Sequence, residues 1–257
     1  METSGVMDSN VKLIRDTTDN TSSELGAKIT ELINEVRTIK KQVDTILRGY
    51  VLAKDSNFKW KEGYPWFGAW HYIGTDDKVV VPHTIRGKGV TSHRGMFYST
   101  CVNGVYSDNP NVTDMSYMFS NSHAKTLDLP NLDTSNVTDM CAMFRCSGIK
   151  TLDLSNFDTS NVTDMSNMFY GSEVTNLDLS NFDTSKVTNM STMFADSQII
   201  SLDLSSFDTS NVTDMEAMFL SSKVTNGYAR TPSDADRFRS STCKPLGLAF
   251  ISKPSAS

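Results

Sequence analysis

Aspartate recurs in this sequence at a fixed interval, and its spacing is what comes closest to chemistry. Asp128, Asp153, Asp178 and Asp203 stand 25 residues apart, and so do Asp133, Asp158, Asp183 and Asp208. Paired carboxylates can serve as general acid and base, but that work needs two unlike environments facing one bond. A carboxylate met once per repeat has the same surroundings every time, so it reads as a habit of the fold. A column of outward carboxylates could instead accept sugar hydroxyls, attract a cationic partner or hold Ca²⁺.

The other candidates are sparse. His71, His83, His93 and His123 are scattered, and no H-E-x-x-H, G-x-S-x-G or phosphate-binding glycine loop is present. Cys101 with a histidine is the one nucleophile and base that can be written. Cys101, Cys141, Cys146 and Cys243 form no C-x-x-C pair and read as free thiols of a chain made in a reducing cytoplasm. The expectation is no enzyme, no cofactor and no metal.

A repeat positions the aspartates. Asn111-Val-Thr-Asp-Met returns at Asn136, Asn161, Lys186 (as Lys-Val-Thr-Asn-Met) and Asn211, and Leu127-Asp-Leu returns at Leu152, Leu177 and Leu202. A constant period of this length means a solenoid. In the unit 152–176, Leu152 and Leu154 alternate with Asp153 and Ser155, as in a short strand with the leucines inward. Phe157 follows them inward. Met165, Met168 and Phe169 lie at i, i+3 and i+4, which predicts a short helical turn capped by Thr163 and ended by Gly171. The methionines are then core. Val79 to Phe97 reads as a degenerate first repeat offset by 22 residues, and 227–257 as the closing cap and tail.

Outward Asp128, Asp153, Asp178 and Asp203, beside Thr126, Thr151, Asn176 and Ser201, form a polar strip. One reading is solvation plus hydrogen bonds to those neighbours. The other is a surface that binds a glycan or a cationic partner. Stacked neighbours about 4.8 Å apart would repel by under about 1 kcal/mol in water, which the fold can tolerate. Asp133, Asp158, Asp183 and Asp208, each before Thr-Ser, read as turn formers bonding their own backbone.

Two segments precede the repeats. Leu25, Ile29, Leu32, Val36, Ile39, Val43 and Ile46 follow heptad spacing, which predicts a parallel coiled-coil helix over 22–50 that assembles three chains. Thr21 to Glu24 reads as its capping box, Glu35 and Lys40 as an inter-chain pair, and 1–21 as a segment that extends the helix. A single amphipathic helix packed on its own domain is the plainer alternative. Residues 51–107 hold Trp60, Trp66 and Trp70, read either as a junction plug or as a sugar-binding aromatic platform, and then the N-terminal cap. The repeats proper occupy 108–226.

Composition fits an elongated binding protein. The 257 residues carry 24 Lys and Arg against 30 Asp and Glu, net −6, which argues against nucleic acid as a partner. Hydrophobics are 38% of the chain, a thin share that suits an elongated core. No run approaches the roughly 20 apolar residues of a membrane span, and no export signal is expected.

The unit L-D-L-S-N-F-D-T-S-N-V-T-D-M-S-N-M-F resembles the BspA-type leucine-rich repeats of bacterial surface proteins, and with V-V-V-P-H-T-I-R-G-K-G-V-T-S and G-Y-A-R-T-P-S-D-A-D-R-F the resemblance reaches from about 79 to 250. It implies a leucine-rich-repeat solenoid with a parallel sheet, and adhesion rather than catalysis. A helical N-terminus before a β-rich tip also resembles, in layout, a phage tail or baseplate receptor-binding protein. The expectation is therefore a homotrimer on a virion tail or tail-like particle, attached to the larger assembly through its N-terminus and contacting a host-surface glycan or protein. A bacterial cell-surface adhesin or effector and a tail-associated polysaccharide-degrading enzyme are the alternatives.

Overall fold

The computed structural model describes residues 24–33, 49–60 and 70–252, and the chain divides into two units, 1–48 and 49–257. In the first unit, residues 24–33 lie in a helix, α1. Its Leu25, Ile29, Leu32 and Ile33 are exposed, and the Thr30 hydroxyl donates to the Gly26 carbonyl one turn back. Val36, Ile39, Val43 and Ile46, like Thr21, Glu35 and Lys40, lie outside the described residues. The coiled coil therefore rests on heptad spacing alone.

The second unit is a parallel β-solenoid of about eight turns. One side is laddered by β1 (Val51–Leu52), β4 (Lys78–Val80), β7 (Gly104–Ser107), β8 (Thr126–Leu132) and β9 (Thr151–Leu152), each parallel to the next. The ladder resumes as β10 (Ser201–Leu204), β11 (Asn226–Ala229) and β12 (Ala249–Ser252). A hairpin of β2 (Phe58–Trp60) and β3 (Trp70–Tyr72) joins near the start, and β5 (Thr84–Ile85) pairs β6 (Lys88–Gly89).

A second ladder runs through single bridges, Ser92 to Asp114 to Asp139 to Asp164 to Asn189 to Asp214. Its first step is 22 residues and the others are 25, the offset read from the sequence. The expected helical turn is absent here. The N–H groups of Met140, Ala142, Phe144 and Cys146 bond to carbonyls of the next coil instead of closing a helix. Positive φ at Ala142 and Cys146 breaks the helical sense. The Thr163 hydroxyl, expected as a cap, donates to Thr138 O at 3.1 Å in the preceding coil.

Packing follows the period. Met165, Met168, Phe169 and Val162 are fully buried, as are their counterparts Met140, Met143, Phe144 and Val137. Phe97, Phe119, Phe144, Phe169, Phe194 and Phe219 stack almost parallel at 5.7 to 5.9 Å. Tyr72 opens this stack and Phe238 closes it edge-on.

The closing cap substitutes for a further coil. At Gly227, where the earlier coils carry leucine, a Cβ would meet the Leu202 carbonyl at 2.2 Å and the Phe250 ring at 2.5 Å. Phe250, on β12, occupies that space. The helix α2 (Pro232–Ser240) starts on Thr231, whose hydroxyl accepts from the Asp234 N–H, with proline in its first turn.

Candidate functional site

The regular coils turn at corners that are built alike. A carboxylate or amide oxygen accepts the N–H two residues on, which closes the turn locally. At the bridge corner, Ser116, Cys141, Ser166, Ser191 and Glu216 donate to Asp114, Asp139, Asp164, Asn189 and Asp214 at 2.7 to 3.0 Å. At the next corner, Ser155, Ser180 and Ser205 donate to Asp153, Asp178 and Asp203. At the third, Ser135, Ser160, Ser185 and Ser210 donate to Asp133, Asp158, Asp183 and Asp208. The last set is the turn-forming role read from Asp-Thr-Ser.

The polar strip is therefore exposed as expected, but its hydrogen bonds differ. Thr126, Asp128, Thr151, Asp153, Asn176, Asp178, Ser201 and Asp203 all face solvent. Asp153, Asp178 and Asp203 accept the serine N–H two places on. These donors hold the Asp153 and Asp178 carboxyls below the usual carboxylate range, the Ser155 and Ser180 N–H groups being the leading causes. Asp128 departs from the pattern because residue 130 is proline and has no N–H to give. Its carboxylate takes Lys78 Nζ at 2.7 Å instead.

That exchange makes the beginning of the strip distinct. A groove of about 540 Å³ is lined there by Asp77, Lys78, Asn103, Thr126, Asp128, Thr151 and Asp153. Lys78 also lies over the Tyr50 ring, 5.1 Å from its centre. The Tyr50 hydroxyl donates to the Asp128 carbonyl at 3.1 Å, and burial, then Asp128, raises its pKa above the ordinary value. The groove joins four of the eight strip residues, Thr126, Asp128, Thr151 and Asp153. Asn176, Asp178, Ser201 and Asp203 continue the strip beyond it, and 176–179 carry no strand.

Trp60 and Trp70 meet edge to face at 5.5 Å across β2 and β3. Trp70 is buried with Arg86 over its ring, and Trp60 stays half-exposed beside a small groove with Lys88 and Thr91. Trp66 lies outside the described residues. Of the three-tryptophan platform, the structure brings two together.

Sequence reasoning missed the bridge column. Asp114, Asp139 and Asp164 are partly buried. Burial raises the Asp139 pKa; the Cys141 N–H opposes this, and the neighbouring Asp114 and Asp164 add to it. Asn189 relieves the stack by donating to Asp164 Oδ2 at 3.2 Å. The signal was present in N-V-T-D-M-S, which places Asp two residues before Ser as at the other corners. Among the described residues no His, Cys, Asp and Glu group is placed to hold a metal, and the four cysteines are free thiols.

A family model described as "Mycoplasma protein of unknown function, DUF285" matches residues 91–176 and again 145–231, between them more than half of the chain. The matched span runs from the first bridge coil to the N-cap of α2. With the solenoid, it is compatible with the BspA-type resemblance of the repeats. No curated protein and no solved structure matches the chain.

Proposed function

The chain belongs to this DUF285 family of unknown function, and from that premise we propose that it is a non-catalytic binding protein. In this reading, three chains join through the N-terminal heptads and present their solenoids to a glycan or protein of a cell surface, as the host-attachment protein of a phage tail or tail-like particle.

The observation that carries the reading is the strip. Outward polar side chains recur at one-coil spacing on a backbone fixed by inter-coil hydrogen bonds, so a ligand that is itself extended and periodic could engage several coils at once. The exposed Leu25, Ile29, Leu32 and Ile33 on α1 support self-association. Three weak sites on one stalk would gain avidity. A bacterial surface adhesin is the second reading, favoured by a family description that names a cellular organism.

Light-scattering mass tests the assembly. The proposal expects about three times 28.5 kDa, falling to one chain in a Leu25→Asp, Ile29→Asp variant. A monomeric wild type would remove the trimer and move the adhesin reading ahead. Sedimentation with candidate host cells tests binding. Asp153→Asn with Asp178→Asn keeps an oxygen at each corner, as Asn189 does, and should weaken co-sedimentation if the strip makes the contact.

A further inference from the structure

Where the coils repeat a residue, the fold accounts for it: Asp closes the corners, and Phe, Met and Val fill the core. Where they differ, the fold leaves the choice open. One such difference lies on the bridge face of the early coils. Two residues after the corner stand Arg94, Ser116, Cys141 and Ser166. Three residues after it stands Tyr117, where later coils have Ala142, Asn167, Thr192 and Ala217. Six residues after it stand Tyr98, Arg145 and Tyr170, where others have Ser120, Ala195 and Leu220.

These substitutions meet one another in space. The Arg94 guanidinium lies 5.6 Å from the Tyr117 ring centre, and that of Arg145 lies 4.8 Å from the Tyr170 ring centre. Burial pushes the Tyr117 hydroxyl up to about 12, and the charges of both Arg94 and Arg145 oppose the shift, so both cations lie within electrostatic reach of one hydroxyl. Cys141 Sγ sits 3.9 Å from that hydroxyl, and Asp196 lies close enough to the Tyr170 hydroxyl to raise its pKa. Arg94 reaches Asp114 at 3.5 Å. Among the described residues, Arg145 has no carboxylate at ion-pair distance. Tyr117 holds φ at 58°, a region in which a bulky ring is uncommon. The backbone beneath is pinned: Tyr117 N donates to Cys141 O and Cys146 N to Tyr170 O.

We infer that this ribbon, Arg94, Tyr117, Arg145 and Tyr170, is a binding site for an acidic glycan. The apolar face of a sugar ring packs on a tyrosine ring. Planar guanidiniums already oriented by those rings take carboxylate or phosphate groups in a two-pronged bond. The corner carboxylates beside them accept sugar hydroxyls. Arg94 and Arg145 belong to coils two steps apart, about 10 Å at about 4.8 Å per step, so the site suits charges spaced along a chain.

The inference rests on the binding reading above and gives it a site and a ligand class. The test is the affinity of the full-length chain for three labelled wall oligosaccharides: one bearing uronic acids, one bearing phosphate groups, and the neutral form of the same backbone. The acidic probe of the matching kind should bind at least tenfold tighter than the neutral one. Arg145→Ala and Tyr170→Ala should each lose at least tenfold, Arg145→Lys less, and Lys186→Asn, which removes one positive charge at another corner, nothing. Thermal melts should match wild type, since the ribbon is only partly buried. If the wild type binds acidic glycan and Arg145→Ala and Tyr170→Ala bind equally well, the ribbon is overturned and the binding reading stands. If it binds no acidic glycan, the inference is overturned; binding to whole cells would then keep the broader reading, and its absence would remove that as well.

Discussion

The hydroxyl of Thr209 donates to Asp234 Oδ1 at 2.6 Å, and its backbone N–H reaches the same oxygen at 3.1 Å. In the interior coils the equivalent hydroxyls of Thr134, Thr159 and Thr184 donate to the backbone carbonyls of Asp158, Asp183 and Asp208 one coil on, and accept the N–H groups of the same residues. Asp234 thus stands where a further coil would supply its backbone. An unpaired buried hydroxyl is costly, and Asp234 supplies the partner at the end of this column.

Replacing Asp234 by alanine should therefore destabilise the solenoid by about 2–3 kcal/mol. The variant leaves Thr209, Thr231 and Arg230 without their shared acceptor. Denaturant unfolding would show it as a lower midpoint. An unchanged midpoint would mean that the cap closes the stack through Phe238 of α2 and Phe250 of β12 alone.

His93 gives a prediction in pH. It is fully buried, and burial lowers its pKa from 6.5 to about 3. The folded state takes its proton later than the unfolded chain does, so this contribution to stability is complete above about 6.5 and drains away as pH falls toward 3. The slope from this group approaches about 1.4 kcal/mol per pH unit at most. His93 occupies the place of Met115 in the next coil, so His93→Met should remove that slope and raise the melting temperature at pH 5. Parallel pH profiles for the two proteins would contradict the assignment.

Phe144 lies mid-stack with Phe119 and Phe169 both 5.7 Å away. Its truncation to alanine should cost about 3–5 kcal/mol, and Phe144→Leu about 1.5 kcal/mol or less. Calorimetry of the two variants beside wild type checks the ordering. Equal costs would mean that loss of the stacked ring, and not of its volume, sets the penalty.

Deleting residues 177–201 joins Asn176 to Leu202 in the register that Leu177 leaves. Each coil touches only its neighbours, so the shortened chain should keep the β-rich circular dichroism of the parent and melt somewhat lower. Loss of cooperative melting would show that the coils are less interchangeable than their sequences.

The sequence made the interior legible because inward residues repeat at fixed phase: Leu154, Phe157, Val162, Met165, Met168 and Phe169 are all core, as their spacing requires. The turn after Asp164 was misread because Met-x-x-Met-Phe suits one face of a helix and one side of a solenoid corner equally. The choice is made by inter-coil hydrogen bonds, which no local window contains. The role of Asp153 was hidden for a related reason. Within an alternating strand pattern it reads as an outward residue, whereas the chain turns at Ser155 and uses it as the corner acceptor. The Arg145–Tyr170 pair was invisible to a search for repeats, since it lies where the repeat is broken.

The central claim is binding without turnover. The direct test incubates the intact protein with purified host wall glycan and follows both retained protein and glycan chain length. Saturable retention with chain length unchanged is the predicted result. No retention, or progressive shortening of the glycan, would contradict it.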